Sequence, residues 1–394
     1  MSVSVHPLSF ESKKDINAFI DVLWSVYADA PDWIPLPKMM QREALDRKKV
    51  PFLGYGDAQL FLAERDGQAV GRISAQINPR HDEYHHEKAG FFGFFDCLDD
   101  PEAAAALFST AEEWLQDRGV DFVRGPLSFT INDEAGCLVE GFDEPPTVMN
   151  PQGRPHFGRL IEANGYAKEK DLFGWYYPVG ELNDRFRTWH DRIHSMPHIR
   201  VRNFDPKHLQ RDVKLALAIY NDAWQENWSF VPVSDEEADH FASQLKFGPI
   251  VLADPRITAI VELDGEPAAM IVAVPNFFEA LRGLNGSLFP FGWARFYWRL
   301  RRGLKNGRVV LLGLKRKHMR KRALAGMNLM LLSEIHLRGQ EAGYDWAELG
   351  WVLEDNALLN SSLQRTDAHV HKVYRIFRKD LRPTSANSES GSNT

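Results

Sequence analysis

An internal duplication is the feature that most constrains how this sequence can fold. An Asp-Gly turn between two apolar runs, typical of a β-hairpin, occurs at Asp66-Gly67 and again at Asp264-Gly265. Each hairpin is followed by a third apolar strand, a long helix that ends at a glycine, and a fourth strand. Because the order of elements is the same in both copies, the sequence predicts two α/β units, each with a mixed central sheet flanked by helices.

The two copies differ in length. Their hairpin turns are 198 residues apart, whereas the glycines that end the helices, Gly119 and Gly343, are 224 residues apart. The second copy therefore carries about 26 additional residues, which include an aromatic and basic insert within 276–307. We predict an N-terminal domain at 1–180 and a C-terminal domain at 181–382. Residues 383–394 are rich in Ser, Asn and Gly and are predicted to be a disordered tail.

Positive charge is concentrated in one segment of the chain. Residues 280–333 contain 13 Lys or Arg and no Asp or Glu, although the net charge of the whole chain is −7. This distribution predicts an anionic partner, namely a phosphorylated cofactor, an anionic membrane surface or nucleic acid. The alternative is a solvated basic face.

The remaining composition favours a cytoplasmic protein. There are only two cysteines, Cys97 and Cys137, which is too few for a disulfide framework. The N-terminus lacks the pattern of a signal peptide, and no apolar run approaches the roughly 18 residues of a membrane span. His81, His85 and His86 lie near acidic residues, but we interpret them as part of a solvated loop and predict no metal site.

A basic turn between a buried strand and a helix is the strongest binding signal. The apolar run at 309–314 is followed by basic residues and then by Ala323, Ala325 and Gly326 at the start of a helix. Backbone N–H groups at a helix N-terminus, approached closely past small side chains, can hold a pyrophosphate. The alternative is an ordinary basic helix start.

This turn resembles the phosphate loop of the GNAT acyltransferase superfamily, which reads Arg/Gln-x-x-Gly-x-Gly/Ala. The chain has Arg320-x-x-Ala323-x-Ala325 followed by Gly326, so the first glycine of the motif is replaced by alanine. Over about residues 5–382 the chain also resembles a group of tandem-GNAT bacterial proteins that includes bacterial ceramide synthases. The segments that carry this wider resemblance are 90–96, 125–126, 140–143, 347–356 and 374–377.

The resemblance implies two GNAT-like domains in tandem, with acyl-CoA as a co-substrate and no permanently bound cofactor. It places the acyl-CoA site in the C-terminal domain. Residues 96–102 of the first copy, which run from a predicted strand to a predicted helix, include four acids and no basic residue. Because these acids would repel a pyrophosphate, the N-terminal domain is expected to lack a pyrophosphate loop. The residues predicted to bind acyl-CoA are Leu312, Leu314, Arg320, Arg322, Ala323, Ala325, Gly326, Asn356 and Asn360.

Amide formation from a thioester requires a base for the amine and a stabilised oxyanion. Glu348 and Glu354 are the candidate bases, acting directly or through water. Many GNAT enzymes protonate the departing thiolate with a Tyr on the last helix, but residues 360–367 contain no Tyr. Tyr374 and His371 are therefore the candidate acids. The alternative for Glu354 and its neighbours is a helix cap.

Polar residues after a strand of the first copy predict a wall that faces the substrate, or alternatively a capped structural loop. The candidate substrate-binding residues are Asn132, Glu134, Glu140, Asn150 and Trp351. The insert combines aromatic rings and arginines over 289–305, a pattern that suits an interfacial helix on an anionic membrane. Stacking on single-stranded nucleic acid and a plain core helix are the alternatives, and we expect no nucleic acid partner.

Two hypotheses about function follow. The first is an acyl-CoA-dependent N-acyltransferase that transfers a long-chain acyl group to a lipophilic amine such as a sphingoid base, at the inner face of the cell membrane. The second is a catalytically silent tandem-GNAT protein that binds acyl-CoA or lipid as a regulator. The sequence does not give the oligomeric state.

Overall fold

The duplicated order of elements is present in the computed structural model, which describes residues 2–247, 250–319, 324 and 326–381. The predicted tail and the loop residues Arg320, Arg322, Ala323 and Ala325 lie outside the described residues. The helices and strands of the first half are β1 (Val3–Leu8), α1 (Lys13–Val26), α2 (Lys38–Glu43), α3 (Phe52–Tyr55), β2 (Asp57–Arg65), β3 (Gln68–Ile77), α4 (Pro79–His85), β4 (Ala89–Cys97), α5 (Pro101–Gln116), β5 (Phe122–Gly125), β6 (Cys137–Glu140), α6 (Pro155–Ala163) and β7 (Ala167–Pro178).

The second half repeats the hairpin, strand, helix and strand. Its helices and strands are α7 (Asp184–His194), β8 (Ile199–Arg202), α8 (Leu209–Ala223), α9 (Asp235–Gln244), β9 (Lys246–Phe247), β10 (Ile250–Val251), β11 (Thr258–Leu263), β12 (Glu266–Pro275), α10 (Phe278–Leu281), α11 (Gly292–Arg301), β13 (Asn306–Leu314), α12 (Arg316–Met319), α13 (Met327–Ala342), β14 (Trp346–Leu353), α14 (Ala357–Leu363) and β15 (His369–Asp380).

The sheets of the two halves are joined into one mixed sheet. The order of its main path is β1-β2-β3-β4-β5-β15-β7-β14-β13-β12-β11-β8, and β6 pairs with β15. The last strand of each half lies beside a strand of the other half, because β7 pairs with β14 and β15 pairs with β5. This exchange covers the inner edges of both sheets, which would otherwise expose unpaired backbone groups.

Strands β13 and β14 are parallel only at their beginnings. Their pairing runs from Asn306 opposite Trp346 to Val309 opposite Leu349 and ends there. The next residue of β14 is Gly350, with φ of 144°, a conformation that glycine adopts far more readily than other residues. The two strands therefore diverge at Gly350.

The insert of the second half forms a short helical hairpin, α10 and α11, where the first half has only α4. Helix α11 exposes most of its aromatic rings, but Phe296 is buried at 3% exposure and packs inside. The predicted solvated loop around His81 is wrong, because His81 lies on α4 and is buried. Asn78 caps that helix by accepting hydrogen bonds from backbone N–H groups, and Pro79 begins it.

Candidate active site

A large cavity lies between the two halves of the chain. Its volume is about 1200 Å³, and its walls come from α1 and the segment 33–54 on one side and from α8, α9 and β12 on the other. It reaches the point where β13 and β14 diverge, since Arg308, Val310, Gly350 and Trp351 all line it. The cavity thus joins the split strands of the second half to the interior of the first half.

Glu134 lines this cavity. It is one of the residues of the wall, and no hydrogen bond to its carboxylate oxygens is found among the described residues. Burial raises the pKa of Glu134, and the nearby charge of Asp96 raises it further, while Arg72 and Arg308 act in the opposite direction. A carboxylate without a partner in an apolar cavity is a suitable site for a cationic or proton-donating ligand group.

The neighbours of Glu134 on the first-half side are paired with one another. The Arg72 guanidinium donates from Nε to Asp96 at 2.8 Å, and the Tyr27 hydroxyl donates to the same carboxylate at 2.9 Å. Asn132 also lines the cavity and accepts a hydrogen bond of 2.6 Å from the Tyr220 hydroxyl. These contacts leave Glu134 as the uncommitted carboxylate among these neighbours.

Glu348 lies behind the cavity wall at the centre of a buried polar network. Its side chain is fully buried, and Oε1 accepts hydrogen bonds from the Thr147 hydroxyl at 2.9 Å and from the Asn150 amide. Oε2 lies 2.9 Å from Nε2 of His371. Burial raises the pKa of Glu348, but the His371 hydrogen bond and the charges of Arg308 and Lys372 outweigh it, so the pKa is lowered.

Arg308 connects this network to the cavity. Its Nε lies 3.4 Å from Glu348 Oε1 and donates to the Gly350 carbonyl at 3.1 Å, and Nη1 donates to the Val148 carbonyl at 2.8 Å. Arg308 and Asn150 line the cavity, whereas Glu348 does not. Glu348 is therefore placed to hold these two side chains rather than to touch a ligand itself.

The two candidate acids lie on β15 and, like Glu348, are not among the residues that line the cavity. Tyr374 is fully buried, and its pKa is raised well above the ordinary value, first by burial and then by the negative charge of Glu348. Lys372, which follows His371 in the chain, is also buried and donates to the Pro145 carbonyl at 2.7 Å. Burial lowers the pKa of Lys372, opposed by Glu348 and Glu144.

The other candidate base, Glu354, is outside this network. Its carboxylate is paired with Lys168 at 2.7 Å and accepts from the Asp171 backbone N–H at 3.0 Å. Asn356 caps α14 by accepting from the Leu359 backbone N–H. The predicted alternative, a helix cap in this segment, is therefore present at Asn356. Asn360 donates to the Leu353 carbonyl at 2.9 Å.

The structure brings some of the predicted substrate-binding residues together. Asn132, Glu134, Asn150 and Trp351 line one cavity, whereas Glu140 is exposed at the end of β6 and is not part of its wall. Sequence reasoning missed Arg308, Thr147 and Lys372. A charged residue directly before the predicted buried run 309–314 was the available signal for Arg308, since a buried charge needs a partner.

Three of the predicted acyl-CoA residues are described on β13 or directly before α13. Gly326 is the residue before this helix and has φ of 89°, and Leu312 and Leu314 lie on β13. A Cβ on Gly326 would lie 2.5 Å from the ring of Trp189, so a side chain does not fit there. The strand, turn and helix therefore have the order expected of a phosphate loop, although most of the loop is outside the described residues.

Two bacterial proteins of similar length resemble the whole chain. Protein YghO of Escherichia coli (strain K12) is 36% identical over 376 residues, which are 95% of this chain and 95% of that protein. The bacterial ceramide synthase of Caulobacter vibrioides is 34% identical over 385 residues, 96% of this chain and 98% of that protein. No protein-family model matches the chain.

Two solved structures that resemble the chain carry GNAT or GCN5-related names. A tandem GNAT protein from the clavulanic acid biosynthesis pathway matches 97% of this chain and 100% of its own, with a TM-score of 0.55 and 12% identity. A GCN5-related N-acetyltransferase from Sphaerobacter thermophilus matches 97% of this chain and 96% of its own, with a TM-score of 0.51 and 15% identity. At such identities these likenesses establish the fold alone.

Proposed function

The chain belongs to the tandem-GNAT family of these two bacterial relatives, and we propose that it transfers a long-chain acyl group from CoA to the amine of a lipid such as a sphingoid base. One observation carries this proposal. Glu134, whose carboxylate has no hydrogen bond among the described residues, lines a cavity of about 1200 Å³ that reaches the point where β13 and β14 diverge. The ceramide synthase name of the Caulobacter relative supports the choice of acceptor.

The size and lining of the cavity favour lipid substrates over an acetyl group. Pockets for ordinary small ligands have volumes of roughly 300–1,000 Å³, and this cavity exceeds that range. Its walls carry rings and branched side chains from both halves, for example Phe129, Leu217, Phe241 and Val272. Transfer of an alkyl chain from water to this apolar surface is favourable through the hydrophobic effect.

The acyl thioester would lie where β13 and β14 diverge. Beyond Val309 and Leu349 the two strands no longer pair with each other, so a backbone N–H there can polarise the thioester carbonyl. The CoA pyrophosphate would lie at the start of α13, near Gly326. Arg308 and Asn150, held by Glu348, would border the reacting atoms from the side.

The amine would bind as an ammonium against Glu134. Glu134 takes one proton and frees the nitrogen lone pair, which forms a bond with the thioester carbon. As the tetrahedral intermediate collapses, the carbon–sulfur bond breaks, and the second proton of the nitrogen passes to the departing CoA thiolate. The products are an amide and CoA thiol, and Glu134 releases its proton to water. The raised pKa of Glu134 suits an exchange of protons with an amine.

The alternative is a catalytically silent protein that binds acyl-CoA or lipid. One observation favours it: the sequence-predicted base Glu348 is fully engaged and lies outside the cavity. The two functions make different predictions for Glu134, because a binder needs its charge but no proton transfer.

We also propose that the insert binds an anionic membrane surface. Within the described residues, no helix has the length and apolar character needed to span a membrane. Helix α11 and the residues before it expose a group of large aromatic side chains, and Arg295, Arg301 and Arg302 are exposed beside them. The aromatic rings would lie in the headgroup layer and the arginines would bind anionic lipids, so the protein would stay at the membrane surface where its lipid substrates are. The exposed rings are Phe289, Phe291, Trp293, Tyr297 and Trp298.

The decisive experiment compares Glu134→Gln with Glu140→Gln in an assay of amide formation from long-chain acyl-CoA and a sphingoid base. We expect Glu134→Gln to lower kcat/KM by roughly 10²-fold or more, the usual scale of acid–base catalysis. Glu140→Gln should retain the wild-type rate because its side chain is exposed outside the cavity. Wild-type turnover in the Glu134 variant would refute its role as base. Binding of both substrates by the wild type without any product would favour the silent binder.

A further inference from the structure

Three side chains with metal-ligating atoms converge where α7 packs against α13. His190 and His194 are one turn apart on α7, and Glu334 faces them from α13. Their Nε2 atoms lie 3.0 Å and 2.7 Å from Glu334 Oε2, and the ligand atoms of all three residues lie within 4.8 Å of one another. Side chains at positions i and i+4 share a helix face, which explains why both rings reach the same carboxylate.

Two of these three residues are held by a further partner. His190 Nδ1 lies 3.0 Å from the carboxylate of Asp191, and the other oxygen of Glu334, Oε1, accepts from Arg338 Nε at 2.6 Å. Metal-binding residues in proteins are commonly held this way, with a carboxylate on the second ring nitrogen and a hydrogen bond to the second carboxylate oxygen.

We propose that His190, His194 and Glu334 bind one zinc ion at a site separate from the cavity. Two imidazole nitrogens and one carboxylate oxygen are a donor set that zinc accepts, with water as the fourth ligand. The side chain of Glu334 is only 9% exposed, whereas those of His190 and His194 are 19% and 36% exposed. Solvent can therefore reach the fourth position. This inference does not rest on the proposed acyl transfer.

The zinc ion would fix α7 against α13 beside the predicted phosphate loop. Trp189 precedes the ligand His190, and its ring packs on Gly326, the residue before α13. A metal that ties these two helices together would hold the ring against the turn. The site would thus hold Trp189 against Gly326 without contacting a substrate.

The test is a zinc titration of the full chain without an affinity tag, after treatment with a chelator and its removal. Isothermal calorimetry should show one equivalent of zinc per chain, and cobalt should give the visible absorption bands of a protein-bound ion. The double variant His190→Gln/His194→Gln should lose this equivalent. Asp191→Asn should weaken binding by about 10–100-fold, as expected for a residue that positions a ligand.

A matched control removes two histidines elsewhere. The variant His6→Gln/His208→Gln changes two exposed side chains and should keep the full equivalent. Absence of saturable zinc binding by the wild type would overturn the proposal, as would equal binding by the His190/His194 double variant. If circular dichroism shows that the double variant is unfolded, wild-type zinc affinity in the folded Asp191→Asn variant would overturn the proposal, and the expected weakening would support it.

Discussion

The Arg308 guanidinium lies 3.4 Å from the Glu348 carboxylate, across the last part of the pairing between two strands that then diverge. The two residues are directly opposite each other in parallel register. Both are almost fully buried, and each has further hydrogen bonds within the described residues. Because Arg308 also lines the cavity, this ion pair has two roles. It stabilises β13 and β14 where they diverge, and it holds a side chain of the cavity wall in place.

Removal of one charge from this pair should destabilise the fold. Glu348→Gln keeps the size of the side chain but leaves Arg308 buried without its anion, and a broken buried pair typically costs about 3–5 kcal/mol of unfolding free energy. Urea unfolding at neutral pH measures the loss. Glu354→Gln is the control, because its half-exposed pair with Lys168 should contribute no more than about 1 kcal/mol. Equal stability of both variants would contradict this account.

The pH dependence of stability should show a contribution from Asp133. Burial raises the pKa of Asp133 from its ordinary value to about 7, against hydrogen bonds from Thr130 that lower it. A carboxyl group whose pKa is higher in the folded state contributes stability at low pH that is lost as the pH rises to about 7. Asp133→Asn should therefore remove part of the decline in unfolding free energy between about pH 4 and pH 7. An unchanged pH profile in this variant would show that Asp133 titrates normally.

Much of the fold could be predicted from the sequence because its signals are local. Asp-Gly turns and the glycines after the long helices define both copies, and the hairpins and helices lie where these signals place them. The order of β13, the basic turn and α13 could be predicted for the same reason. The short helix α12 in the basic turn could not be predicted, since Lys and Arg are compatible with loop and helix alike.

The relationships between distant residues could not be predicted in the same way. The exchange of β7 and β15 between the halves depends on pairing over roughly 170 to 260 residues, which no local pattern encodes. The partner of a buried charge is equally non-local: nothing near Glu348 in sequence identifies Arg308 or Asn150. Glu134 and Glu140 look alike in sequence, and only the tertiary structure places the first in the cavity and the second outside.

The cavity should limit the length of the acyl or amine chain. Ala216 lies on α8 and lines the wall, so Ala216→Phe would place a ring in the space for an alkyl chain. Turnover of long-chain acyl-CoA should fall by roughly tenfold or more, the scale on which steric changes in apolar pockets act. Short-chain acyl-CoA serves as the internal control, because the variant should retain its turnover. An equal loss for all chain lengths would indicate general misfolding and contradict this role of the wall.

The insert should bind anionic vesicles through its exposed arginines. Arg299, which the sequence placed among the headgroup contacts, is half-buried and donates to the carbonyls of Ala280 and Arg282, so it belongs to the structure of the insert. The informative change is therefore Arg295→Glu/Arg301→Glu/Arg302→Glu. Each basic residue near an anionic surface contributes about 1 kcal/mol, so the triple variant should bind at least roughly 100-fold more weakly.

Co-sedimentation with vesicles that contain phosphatidylserine measures this effect. Lys13→Glu/Lys14→Glu/Lys88→Glu changes the net charge by the same amount at exposed positions of the first half, and it separates local docking from total charge. This control should sediment like the wild type. Binding of the wild type should also weaken with salt, because the Debye length falls from about 10 Å at 0.1 M to about 3 Å at 1 M. Equal sedimentation of the two triple variants would mean that the insert does not dock on the membrane.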